Sequence, residues 1–213
     1  KEELLGVELQ GKVLGLIGLG RVGIEVFKRA HAFGMKILVF DPYVSPRVAE
    51  DLDVRLVDLE EVLAQSDVIS LHASLTPETE HLINRESLAK MKPGVRIVNC
   101  GRGELIDEAA LLEAPESGHV DGAGLDVFEV EPPQPGSAGA KLMVHQRVVA
   151  TPHIAGSTEE AQDYVGLCIA EHLSEYLIEG ISKSAVNMPS VSPEEFKKLE
   201  PYIKLGENEG SFL

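Results

Sequence analysis

The 213-residue chain has little of what marks several protein classes. Its only cysteines are Cys100 and Cys168, neither in a C-x-x-C spacing, so a reducing, cytoplasmic setting is the natural reading. Basic charge is scarce. Nineteen Lys and Arg face 35 Asp and Glu, the formal charge is −16, and there is no basic run. Nucleic acid and anionic membrane surfaces both reward clustered Lys and Arg, so neither is expected as a partner. No apolar run reaches the roughly 18 residues of a membrane span, and no secretory leader is recognisable. His and Cys show no metal-ligand spacing, so no metal is expected. The G-x-S-x-G elbow of a Ser/His/Asp hydrolase is also missing.

What is present is a core-sized apolar content of 44% and one organised stretch, an apolar run from Val13 to Ile17 that ends in spaced glycines. Gly18, Gly20 and Gly23 match G-x-G-x-x-G, with a β-type run before them and a helical pattern from Arg21 to about Phe33 after. In that motif the first glycine permits a tight turn and the second lets the backbone approach a pyrophosphate. The third packs helix on strand and leaves the anion at the helix N-terminus. A second strand, Lys36 to Phe40, delivers Asp41 close to the distance, about 20 residues on, at which an acidic side chain meets an adenosine ribose.

Further strands are predicted at Val54–Val57, Asp67–His72, Val95–Asn99, Val120–Leu125 and Arg147–Ala150. Helical patterns lie between them, around Pro46–Asp51, from Asp58 to Leu63, from Asn84 to Met91, and from Asp107 to about Glu113, where Pro115 is expected to stop the helix early. Pro132 to Ser137 reads as loop. A long helix from Ser157 to Glu179 ends at Gly180, Ala185 to Pro189 reads as extended, and Ser192-Pro193 opens a last helix. This alternation implies an α/β fold, a doubly wound, mostly parallel Rossmann-type sheet with helices on both faces. The expected organisation is a lead-in over 1–12, a dinucleotide-binding domain over 13–156, a helix and return segment over 157–190, and over 191–213 the start of a further domain or a packing arm. A chain that starts at Lys1 suggests that something precedes it.

Ligands of such sheets bind beyond the carboxyl ends of the strands. That rule gathers the glycine turn, Asp41, His72-Ala73, Cys100-Gly101-Arg102, Asp126 and Thr151-Pro152-His153 at one rim. Arg102, between two glycines, can grip a carboxylate through paired hydrogen bonds or serve in a structural ion pair. His153 suits general acid/base work, or is a buried histidine. Glu131, ahead of Pro132-Pro133, could orient His153, although by spacing alone a solvated loop acid is the better reading. His72 reads as lining the cofactor site. Cys100 reads as packing near it rather than attacking, since no base stands beside it in sequence. His31, His81, His119, His145 and His172 are given no chemical role.

Four segments then carry a resemblance: Gly18-Leu19-Gly20-Arg21-Val22-Gly23 with Asp41-Pro42-Tyr43; Val98-Asn99-Cys100-Gly101-Arg102-Gly103; Gly124 to Pro132; and Thr151 to Thr158. In this order they resemble the D-isomer-specific 2-hydroxyacid dehydrogenase family. The resemblance implies NAD as cofactor, a small anionic 2-hydroxy or 2-keto acid as substrate, and a homodimer. It implies that Arg102 binds the substrate carboxylate, that His153 exchanges a proton with the substrate oxygen, and that Glu131 orients His153. Arg21 and Val22 would meet the pyrophosphate and Asp41 the adenosine ribose. Ala73, Cys100, Asp126 and Gly156 would meet the nicotinamide half, with Gly101 and His72 beside them. The segment after Ala185 is similar to that of members oxidising 3-phosphoglycerate, so that reaction is expected first. Reduction of glyoxylate or hydroxypyruvate and an NAD-sensing interaction role are the alternatives. Family members also carry an N-terminal stretch forming most of a substrate domain, which is absent here.

Overall fold

A computed structural model describes residues 6–116, 118–180 and 193–210 of the chain. It divides into two compact units, Lys1–His153 and Ile154–Leu213. The first unit is a seven-stranded sheet of β1 (Val13–Ile17), β2 (Lys36–Phe40), β3 (Arg55–Leu56), β4 (Val68–Leu71), β5 (Val95–Asn99), β6 (Val120–Leu125) and β7 (Val148–Ala150). Strand order is β3-β2-β1-β4-β5-β6-β7, and every pairing is parallel.

The central strands are apolar along their length because both faces are covered: Leu16, Val39, Ile69 and Ile97 have no exposed surface. Each such side chain stabilises the fold by about 1.5–3 kcal/mol relative to leaving it in water, enough to outweigh any local preference for another conformation. The helices of this unit are α1 (Arg21–Ala32), α2 (Pro46–Asp51), α3 (Leu59–Gln65), α4 (Arg85–Lys90), α5 (Glu108–Glu116) and α6 (Ala138–Met143). Several start where a side chain receives an orphan N–H. Asp58 accepts from Glu61 at the head of α3, and Asn84 accepts from Glu86 and Ser87 at the head of α4. α3 lies tight on β1, because a Cβ on Gly15 would overlap Ser66 and stand 2.7 Å from a Val62 methyl.

Three details differ from the sequence reading. α5 continues past Glu113 to Glu116, because Pro115 stands near the helix end and deletes only the one bond its absent N–H would give to Leu111. A 3₁₀ turn at Gly103–Leu105 and helix α6 fall where no element was predicted. Asp67 and His72 flank β4 rather than belonging to it. Asp67 faces back, accepting the Val13 N–H at 2.8 Å.

In the second unit, α7 (Glu159–Glu179) begins at Thr158, whose hydroxyl accepts the Ala161 N–H, and ends at Gly180 with φ of 70°. That left-handed residue returns its N–H to the Tyr176 carbonyl, and glycine adopts it without strain. α8 (Pro193–Gly210) starts where the last helix was expected to open and holds Pro201 inside it. The predicted extended segment Ala185 to Pro189 lies outside the described residues.

Candidate functional site

The order of strands reverses between β1 and β4, and the crevice beyond their carboxyl ends is where a doubly wound sheet takes its ligand. The glycine turn fills this crevice. Gly18 has φ of +93°, and a Cβ there would lie 2.7 Å from the His72 carbonyl carbon and the Ala73 nitrogen. A Cβ on Gly23 would overlap the Gly18 carbonyl oxygen, so the third glycine is what seats α1 on the turn. Gly20 differs. Its φ is −76°, and a Cβ would meet nothing within 4 Å. The fold itself therefore needs Gly18 and Gly23 but has no use for a glycine at 20. The open space beside Gly20, at the head of α1, is what a pyrophosphate requires, so these residues fit a dinucleotide. Arg21 and Val22 open α1 and are both exposed, Val22 by 57%.

Asp41 is tied to the same turn. Its Oδ2 accepts the Leu19 N–H at 2.7 Å, while Oδ1 accepts those of Tyr43 at 2.8 Å and Val44 at 3.2 Å. The residue read as a ribose acceptor thus also holds the glycine loop to the end of β2, a role that sequence spacing did not disclose. A cavity of about 360 Å³ opens here, walled by Gly18, Gly20, Asp41, Tyr43, His72 and Ala73 among others. A second, of about 370 Å³, is walled by Val22, His72, Ala73, Cys100, Gly101 and Arg102. His72-Ala73-Ser74 borders both, so the end of β4 is the partition between them.

His72 hydrogen-bonds Ser70 Oγ through Nε2 at 2.8 Å, while its Nδ1 is buried with no partner. Burial lowers its pKa, so the imidazole is neutral near pH 7. Cys100 is held as a thiol, its pKa raised by desolvation and then by the charge of Asp126. Asp126 itself accepts the Thr151 hydroxyl and gives its N–H to the Asn99 carbonyl at 3.0 Å.

Arg102 is exposed and donates from one guanidinium nitrogen to the Gly101 carbonyl at 2.7 Å. Its loop is set by Asn99, 1% exposed, which donates to the Arg102 carbonyl at 2.8 Å and accepts the Gly101 N–H at 3.0 Å. Asn99 was missing from the predicted site. The available signal was an amide side chain at the last position of a mostly apolar strand, two residues before a glycine.

Glu131 and His153 do meet. His153 Nδ1 lies 2.8 Å from Glu131 Oε2, and Glu131 Oε1 accepts the Phe128 N–H at 3.1 Å. The hydrogen bond from His153 is the chief reason the Glu131 carboxyl sits below its ordinary range. His153 carries φ of +54°, a backbone state that residues with side chains seldom adopt and that collects at functional sites. With Nδ1 engaged by the carboxylate, Nε2 is left as the proton-exchanging position. Gly156 belongs to the second unit, where its carbonyl accepts from Gln162 at 2.9 Å. Among the described residues no cluster of His, Cys, Asp and Glu could hold a metal, and no helix is long and apolar enough to cross a membrane.

Sheet order and glycine turn together define a Rossmann-type dinucleotide-binding domain. The chain belongs to the D-isomer-specific 2-hydroxyacid dehydrogenase family: residues 1–155 match that family's NAD-binding domain, and the cofactor is NAD. It is 47% identical to a D-3-phosphoglycerate dehydrogenase of Bacillus subtilis over 98% of this chain and 39% of that protein. It is 56% identical to a hydroxypyruvate reductase of Thermotoga maritima over 81% of this chain and 55% of that protein. The crystal structure of a glyoxylate reductase from Paecilomyes thermophila aligns with a TM-score of 0.75 and 41% identity, over 90% of this chain and 55% of that one. The chain therefore spans about two-fifths to just over half the length of these relatives.

Proposed function

We propose that the chain is the cofactor-binding part of an enzyme that oxidises D-3-phosphoglycerate to 3-phosphohydroxypyruvate with NAD. The observation that carries the reading is the Glu131–His153 hydrogen bond, in a chain that relatives bearing the phosphoglycerate dehydrogenase name match over nearly its whole length. When bound, NAD supplies the hydride acceptor. The chain's own residues do the rest. Arg102 grips the substrate carboxylate, and His153 Nε2 takes the proton of the 2-hydroxyl as hydride leaves C2. Glu131 keeps the imidazole oriented and stabilises its protonated form. Gly20 and the first turn of α1, with Arg21 and Val22, receive the pyrophosphate, and Asp41 receives the adenosine ribose, where its charge would repel a 2′-phosphate. His72, Ala73, Cys100, Gly101, Asp126 and Gly156 complete the cofactor's surroundings. We further infer a homodimer working in the cytoplasm, a setting consistent with two cysteines that are both free.

A second reading, reduction of hydroxypyruvate, has its own support in the 56% identical relative of that name. Both readings require the same triad, so substrate preference separates them. The test joins this chain to the substrate-domain residues its relatives carry and assays D-3-phosphoglycerate, hydroxypyruvate and glyoxylate. Preference for D-3-phosphoglycerate is expected, with turnover falling about 10²–10⁴-fold in His153→Ala while NADH binding is kept. Preference for hydroxypyruvate selects the second reading. NADH binding without turnover of any of the three acids would sink both and leave a sensing module.

A further inference from the structure

Glu131 reaches His153 from a loop, Phe128 to Glu131, that is gripped from outside the site. Glu108, the first residue of α5, accepts the Glu129 N–H through Oε1 at 2.9 Å. Glu129 answers in kind, its Oε1 accepting the Glu108 N–H at 3.3 Å. The backbone of Gly139, in the first turn of α6, also hydrogen-bonds the Glu108 carboxylate. A Cβ at 139 would stand 2.6 Å from Glu108 Oε2. His81 Nε2 lies 3.2 Å from Glu129 Oε1. Gly103, the neighbour of Arg102, is pressed so close that a Cβ would overlap the Phe128–Glu129 peptide.

Helix capping accounts for the Glu108 and Gly139 N–H groups, which lie in the first turns of α5 and α6, but not for the Glu129 N–H, which belongs to neither helix. Asp107 already caps α5 through the Ala109 and Ala110 N–H groups, both at 3.0 Å, and Ser137 already caps α6. Two carboxylates held side by side and partly desolvated repel each other, a cost that surface loop acids avoid. What the arrangement achieves is a fixed position for the peptide two residues before Glu131.

We propose that Glu108 is a positioning residue for the reaction, acting with Glu129 to hold the Phe128–Glu131 loop so that the Glu131 carboxylate meets His153. This rests on the reading of Glu131 and His153 given above. Glu108 walls neither of the two cavities at the strand ends. Its effect passes through the Glu129 peptide, and the same peptide abuts Gly103, so one brace serves the loops of both Arg102 and Glu131.

The test is a carbon-13 NMR titration of the Glu131 carboxyl in the 213-residue chain, which needs no substrate. In the unsubstituted chain Glu131 titrates below the ordinary carboxyl range. In Glu108→Ala it moves back up toward that range. In Glu108→Gln, whose amide oxygen can still accept the Glu129 N–H, it stays low, a rescue that a general loss of packing would not show. If Glu108→Ala does not fold, Glu108→Asp, one methylene too short to reach, is titrated instead and is expected to shift. An unshifted Glu131 in a folded Glu108→Ala or Glu108→Asp chain overturns the proposal. In the substrate-competent enzyme, Glu108→Ala should lower kcat about 10- to 100-fold, with KM for NAD little changed. A shifted Glu131 titration with kcat unchanged would leave the brace standing and overturn the catalytic reading of Glu131 and His153.

Discussion

Glu131 divides its carboxylate between the Phe128 N–H and the His153 imidazole, and both bonds favour its ionised form. A carboxyl whose folded pKa is depressed stabilises the fold above its ordinary value of 4.5 and loses that contribution as pH falls through the folded value. Both partners are more than a third exposed, His153 at 46% and Glu131 at 39% of the side chain, so water screens the pair and the contribution is below about 1 kcal/mol. Glu131→Gln should therefore change thermal stability at neutral pH by less than about 1 kcal/mol, with the difference vanishing at acid pH. Turnover should fall much further, since the imidazole loses its orienting carboxylate. Thermal unfolding across pH together with steady-state kinetics checks this. A stability loss that matches the loss of activity would mean that the pair is structural. The candidate residues were readable in sequence because they follow strands, at the rim where such sheets take ligands, and Glu131 could be suggested as the partner of His153. The other contacts that hold them could not. Glu108 and Glu129 stand on different elements, and the three N–H groups gathered by Asp41 belong to two loops that only folding brings together.

At the scale of the element, the glycine turn separates what the fold needs from what a ligand needs. Gly18→Ala and Gly23→Ala each drive a methyl into backbone, and Gly18 would also be strained at positive φ, so both should destabilise by several kcal/mol. Gly20→Ala meets empty space and should cost about 1 kcal/mol or less, mainly as a poorer helix cap. It should nevertheless weaken NADH binding by obstructing the turn. Chemical denaturation of the three variants beside NADH titration gives the comparison. Equal stability losses at all three positions, or undiminished NADH binding in Gly20→Ala, would refute the division. The parallel strands were legible because burial on both faces makes them continuous apolar runs. By contrast α6 was hidden: its six residues, Ala138-Gly139-Ala140-Lys141-Leu142-Met143, follow a proline-rich loop and are too short to show helical periodicity. Only the Ser137 cap marked its start.

For the whole molecule, the order β3-β2-β1-β4-β5-β6-β7 places every strand end that carries a candidate residue of the first unit on the same side of the sheet. This is why a reading of strand ends alone could collect most of the site. It could not show that the crevice is divided by the end of β4 into two cavities of similar volume, since that depends on how the His72-Ala73-Ser74 segment turns after the strand. Nor could it place Gly156, which falls in the other compact unit. The family match over residues 1–155 and the division at His153 nearly coincide, and the chain covers 39% of one relative and 55% of another.

The central claim is that the crevice between β1 and β4 binds NAD through the glycine turn and Asp41, and its most direct test is calorimetric titration of NADH into the 213-residue chain and its Asp41→Ala variant. Saturable binding is predicted for the unsubstituted chain. Affinity should fall about tenfold or more in the variant, since a charged acceptor of both the ribose and the Leu19 N–H is removed. No saturable binding to the folded chain, or equal affinity in the two proteins, would contradict it.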